Sequence, residues 1–255
     1  DEDVLSRLHG GVERMLKLKK IEEAKKLISD SRIKMESLHD LIMRVYEIYM
    51  GDAAYDEAAA LAVDFRLPPE QVEHAALMAF SLKLRMNRIE PAVSVKQKFK
   101  IPDEKVREKI QEAFVNEVNR NKLEQALELK KAFNLPPDFT NEYIVPIVKS
   151  KLNTKSYERA GQIFNRFNIP VESVSEPLIE AFKAQLQRES FNWAKTLKDD
   201  FKLPDTMIKK PALEVFDAKL KGRKIDIAKR IMNEYDLTGD QVQIITKQAF
   251  DEFVR

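Results

Sequence analysis

The stretch FKIPDEKV, residues 99–106, sets an aromatic, an aliphatic residue, a proline and two acids side by side. Proline cannot continue a helix and biases the residue before it toward extended backbone, while acids just after it favour a helix N-terminus. The phrase therefore predicts a joint. One helix closes its apolar face at Phe99, Ile101 is pushed out of helical geometry, Pro102 ends the helix, and the next begins at Asp103 with Val106 as its first inward residue. Near copies begin at Phe65 (FRLP), Phe133 (FNLP), Phe167 (FNIP) and Phe201 (FKLP), so the joint recurs every 34 residues, with decayed versions at Tyr235 (YDLT) and Ser31 (SRIK).

Other columns keep the same step. Alanine stands seven residues before each joint, at Ala24, Ala58, Ala92, Ala126, Ala160, Ala194 and Ala228. Three residues before each alanine is Ile21, Tyr55, Ile89, Leu123, Tyr157, Phe191 or Ile225, and three after it Leu27, Leu61, Val95, Leu129, Ile163, Leu197 or Ile231. These spacings keep one face of a short helix apolar, and the alanines allow close approach of a neighbour. After the joint a longer amphipathic helix follows, as in Val106, Ile110, Ala113, Phe114 and Val118, or Ile208, Ala212, Val215, Phe216 and Leu220. Each period is thus an αα-hairpin. A single hairpin buries too little apolar surface to offset the entropy of ordering it, so neighbours must stack.

The expected fold class is all-α, an α-solenoid of seven helix-turn-helix repeats plus a C-terminal helix, fifteen helices in a single domain over 1–255. The repeats are expected near 3–34, 35–68, 69–102, 103–136, 137–170, 171–204 and 205–238, with the last helix at 239–255. Pro146, Pro177 and Pro211 fall inside predicted long helices and should kink them or delay their start.

The period, the alanine column and the aromatics at Tyr55, Tyr157 and Phe191 resemble the tetratricopeptide-like superfamily of helical repeats; GDAAYDEA, residues 51–58, is the nearest phrase. The resemblance implies a right-handed superhelix. Phe80, Phe114, Phe182 and Phe216 stand where that family's pattern has glycine, so the resemblance transfers the architecture and no ligand-binding residues. The related pentatricopeptide repeats are usually one residue longer.

Composition narrows the function. With 44% hydrophobic residues and only six glycines among 255, the chain reads as folded and helical, and no apolar stretch is long enough to span a bilayer. It is expected to be soluble, without membrane insertion. The opening DEDVLSRLHGG does not read as a signal peptide, and a start at Asp rather than Met suggests a processed or excised chain. Without cysteine the redox compartment is unread, and a cytoplasmic setting is favoured.

His9, His39 and His74 share no metal-ligand spacing, the glycines make no phosphate loop, and HGG at residues 9–11 has no nucleophile elbow. No catalytic residue, metal or cofactor is expected. The acids after each joint, Glu70, Glu104, Asp138, Glu172 and Asp240, with Thr206 in the remaining copy, are expected to cap or complement helix N-termini, a reading preferred to a metal ladder.

Charge by column gives the functional hint. Seven windows of eight residues, each covering the end of a long helix and the turn after it, carry +12 together, against +2 for the whole chain. This edge contains Lys83, Arg85, Arg88, Lys149, Lys151, Lys155, Lys219, Lys221, Arg223 and Lys224, with Glu47 and Asp52 interrupting it. Two readings stay open: lysines facing helix C-termini, or a positive stripe for an anionic partner. Trp193 and Ile227 place apolar side chains in a mostly polar column, either as a patch for a partner or as packing against a neighbouring helix.

The expected function is a non-enzymatic scaffold binding an extended protein segment or a domain. RNA or another polyanion bound through the basic edge is the alternative, and self-assembly into a homo-oligomer the second.

Overall fold

The structure, a computed structural model, describes residues 2–254. Among these there are fifteen α-helices and no strand. The chain divides between Leu135 and Pro136 into two compact units. The first holds α1 (Glu2–Lys17), α2 (Ile21–Asp30), α3 (His39–Gly51), α4 (Tyr55–Asp64), α5 (Pro69–Arg85), α6 (Ile89–Lys98), α7 (Asp103–Asn119) and α8 (Leu123–Ala132). The second holds α9 (Pro137–Asn153), α10 (Tyr157–Phe167), α11 (Ser175–Gln187), α12 (Phe191–Asp200), α13 (Asp205–Lys221), α14 (Ile225–Glu234) and α15 (Asp240–Val254). Within each unit long helices pack on the short helix that follows and on the next long one, as α5 does on α6 and α7, or α11 on α12 and α13.

The joints differ from the sequence reading in how they stop a helix. After each of α1 to α14 one non-glycine residue takes a left-handed conformation, with φ between 47° and 64°. Lys19, Ala53, Asn87, Asn121, Lys155, Glu189 and Arg223 do so after the long helices; Arg32, Arg66, Lys100, Asn134, Asn168, Lys202 and Asp236 do so after the short ones. Each series steps by 34 residues.

At the joint after α6, Lys100 N–H donates to Gln97 C=O (3.2 Å) and Ile101 N–H to Lys96 C=O (3.0 Å). This is the Schellman pattern, which satisfies carbonyls the helix end would orphan. The helix is thus closed at Lys100, two residues before Pro102, and Ile101 is a core residue, 5% exposed. Its counterparts Ile33, Leu67, Leu135, Ile169, Leu203 and Leu237 are buried too. Pro102 serves instead as the residue preceding α7, in extended geometry.

The acids after the prolines complement helix N-termini and do not cap them. Pro68, Pro102, Pro136 and Pro204 occupy the N-cap positions of α5, α7, α9 and α13, and no side chain caps those helices. Glu70, Glu104, Asp138 and Asp240 lie in first turns, where they act on the helix dipole through space. Glu172 falls in a 3-10 turn, Val171–Val174. That turn precedes α11, whose delayed start puts Pro177 in its first turn. Pro146 and Pro211 lie inside α9 and α13, which continue through them.

The seven column alanines are fully buried, as are Phe80, Phe114 and Phe182. Phe80 meets Phe133 edge-on at 5.8 Å and 77°, and Phe182 meets Tyr235 at 5.3 Å and 86°. In both pairs a long helix reaches the joint that closes the next hairpin, and each pair adds about 0.5–1.5 kcal/mol beyond its buried area. Gly161 lets α10 approach α12: a Cβ there would stand 3.0 Å from Asp200 Cβ. Asn165 Nδ2 staples the contact by donating to the Gly161 (2.9 Å) and Asp200 (2.7 Å) carbonyls.

Because left-handed backbone disfavours any residue with a Cβ, Lys100→Gly is expected to raise stability by roughly 0.5–1 kcal/mol after the entropy cost of glycine. Ile101→Ala, which empties a core site, is expected to lower it by about 2–5 kcal/mol. Denaturant midpoints of the two variants check both signs; if Ile101→Ala is neutral, the residue is not the core anchor described.

Candidate functional site

Among the described residues no cluster of three metal-ligating side chains occurs, and no helix is long and apolar enough to cross a membrane. The chemistry available is that of surfaces, and the basic edge is the first to examine.

Five of its ten members are already engaged, Arg223 among them. Lys83 pairs with Asp56 on α4. Lys219 and Lys224 converge on Glu189 at 2.7 and 2.6 Å, and Lys219 also donates to the Gln187 carbonyl at 2.7 Å. Lys221 pairs with Asp217 one turn earlier, at 2.9 Å. Two hydrogen-bonded lysines hold the Glu189 carboxyl down to about 2. Arg85, Arg88, Lys149, Lys151 and Lys155 make no ion pair among the described residues. The edge is therefore partly neutralised, and its free cations fall into two short runs.

Of the apolar pair, Trp193 is 46% exposed with its ring edge-on to buried Tyr157, 5.9 Å between centroids. Ile227 is half-buried on α14, and the more exposed residue there is Ile225. The ring is pinned on one side by the preceding hairpin, which is the packing reading in part.

One functional column went unread in the sequence. Tyr49, Lys83, Glu117, Lys151, Gln185 and Lys219 recur at 34-residue steps near the ends of long helices, polar among apolar neighbours. Where the preceding hairpin lies in the same unit, this side chain usually reaches back to it. Tyr49 donates its hydroxyl to the Leu16 carbonyl, Lys83 binds Asp56, Gln185 donates to the Tyr157 hydroxyl at 2.9 Å, and Lys219 binds Glu189. Its signal in the sequence is a polar residue held at a fixed helical position between the buried Phe and Leu columns.

Glu117 departs from this pattern. It is only 7% exposed, yet its ionic partners lie in its own hairpin: Arg120 at 3.4 Å from Oε1 and Lys122 at 3.9 Å from Oε2. Within the protein Oε2 accepts no hydrogen bond. In place of a tie, a groove of 590 Å³ opens between α5 and α7. Arg85 and Asn87 line it from the end of α5, Lys109, Glu112, Asn116 and Glu117 from α7, and Leu84 and Leu129 line it too.

Glu189 gives a pH signature for the reach-back ties. Its depressed pKa means that the native state holds the carboxylate more strongly than the unfolded chain. The contribution is present above the ordinary value of 4.5 and is lost as pH falls toward about 2. The Tm difference between the wild-type chain and Glu189→Gln should be full above that window, close through it, and shrink in high salt because the group is exposed. A gap independent of pH would refute the double-lysine clamp.

No protein family, curated protein or solved structure matches the chain, so its role has to be read from these residues.

Proposed function

We propose that the chain is a tetratricopeptide-like α-solenoid of seven hairpins and a closing helix, and that it works as a non-enzymatic scaffold holding an extended protein segment against its long helices. The observation that carries this is the groove between α5 and α7. It lies between two successive long helices, is lined in part by Leu84 and Leu129, and presents side-chain amides and charges of both signs. Asparagine amides offer one donor set and one acceptor, which suits the peptide backbone.

A second reading, RNA bound along the turns, draws on the free cations Arg85, Arg88, Lys149, Lys151 and Lys155. Against it stand the lysines already held by Asp56, Glu189 and Asp217. Self-assembly draws on α15, where Ile244 and Phe250 are 54% and 65% exposed.

Salt separates the first two. Polyanion binding weakens steeply as salt rises because bound counterions are released. A fluorescent mixed-sequence RNA should show no binding to the full chain at low salt, while an array of random dodecapeptides should capture it. Salt-sensitive RNA binding that falls on reversing charge at Lys149, Lys151 and Lys155 would replace the scaffold reading with the RNA one. A concentration-dependent rise in mass by light scattering, abolished by Phe250→Ser, would instead favour assembly.

A further inference from the structure

We propose that the cleft between α12 and α14 binds a small zwitterion, a molecule with the carboxylate and ammonium groups of a free amino acid. This site is independent of the scaffold reading and lies wholly within the second unit.

The same seam is closed in one pair of hairpins and open in the next. Between α10 and α12, Gly161 stands against Asp200, Asn165 donates to the Asp200 carbonyl at 2.7 Å, and the Phe164 and Phe201 rings meet at 4.8 Å. One 34-residue step later these places are taken by Lys195, Asp199, Lys198 and Tyr235, with Arg230 in the column of Thr196. Long charged side chains do not close the seam as glycine and phenylalanine do. A cleft of 290 Å³ opens there, lined by all five residues, at the small end of clefts that hold small molecules.

Tyr235 is the least expected of the five. Other joints carry Phe65, Phe99, Phe133, Phe167 and Phe201 in its place, so packing does not require the hydroxyl. The residue is 6% exposed, and its hydroxyl, still reachable from solvent, has no hydrogen-bond partner among the described residues. Burial pushes it up to about 12, with the Glu234 and Asp199 carboxylates adding to the rise and Arg230 opposing it, so it stays a donor at physiological pH. A largely buried donor without an acceptor is costly unless something entering the cleft completes it.

The charges left unpaired choose the ligand. Arg230 stacks on the Phe191 ring at 3.9 Å and is held by Glu234 at 2.8 Å, while Lys198 is held by Asp205 at 3.2 Å. Lys195 and Asp199 have no ionic partner among the described residues, although they lie one turn apart on α12. A lysine N-terminal to its acid is the weaker order for such a pair. The cleft therefore offers a free cation, a free carboxylate and a neutral donor. A zwitterion answers all three, its carboxylate on Lys195 and the Tyr235 hydroxyl and its ammonium on Asp199. A phosphate dianion would face the carboxylates of Asp199 and Glu234, and a simple amine would leave Lys195 and Tyr235 unmatched.

The test screens the standard L-amino acids one at a time against the full chain by saturation-transfer NMR. Those that bind are titrated by calorimetry beside their amides, their N-acetyl forms and inorganic phosphate. At least one small amino acid should bind, and its amide and N-acetyl form should each bind on the order of tenfold more weakly. Tyr235→Phe, which restores the residue of the other joints, should cost roughly tenfold in affinity without lowering Tm, and Lys195→Met should cost a similar factor. Asp199→Asn should erase the preference for the free amino acid over its N-acetyl form.

Binding of no amino acid at millimolar concentration, or binding unmoved by both Tyr235→Phe and Lys195→Met, overturns the inference. Tighter binding of phosphate overturns the zwitterion and assigns the cleft to an anion; tighter binding of the amides assigns it to a cation. All of these outcomes leave the scaffold reading as it stands, since that rests on the groove of the first unit.

Discussion

Each reversal of the chain rests on a single residue held at positive φ. That residue turns the backbone out of the helix while the next N–H, and at all but Asn134 and Asp236 its own, bonds back to the last carbonyls, so the helix end is satisfied without a capping side chain. After the short helices the residue that follows is delivered to the core, as Ile101 and Leu203 are. Helix length, the register of the apolar columns and the positions of the polar ties follow from where these turns fall. The left-handed residues step by 34 in two interleaved series, so the hairpins share one internal geometry despite their different sequences.

The helices themselves were legible because apolar periodicity and the alanine column report burial directly, and all seven alanines are fully buried. The stop signal was not. Left-handed positions are commonly marked by glycine or Asn, yet here nine of the fourteen carry Lys, Arg, Glu or Ala, residues whose side chains say little about φ. Proline, the visible punctuation, was credited with ending a helix when it prepares the next one.

The candidate site shows a similar division. A column sum exposed the positive edge, since charge is additive along the sequence. It could not show that Asp56, 27 residues before Lys83, or Glu189, 30 residues before Lys219, folds back onto it. Those separations become neighbours only once hairpins stack. Glu117 was missed for the opposite reason: its importance is an absence of reach, visible only beside the four positions that make the tie.

The substantial helix contacts within each unit join elements at most two apart in order. Nothing in such packing requires a distant segment to be present before a local one can form. A hairpin could therefore be copied or deleted as a whole module, with the loss confined to the two seams it shares. Variation by whole modules then becomes cheap for evolution, while inserting or losing a single residue within a module shifts every column downstream and is resisted.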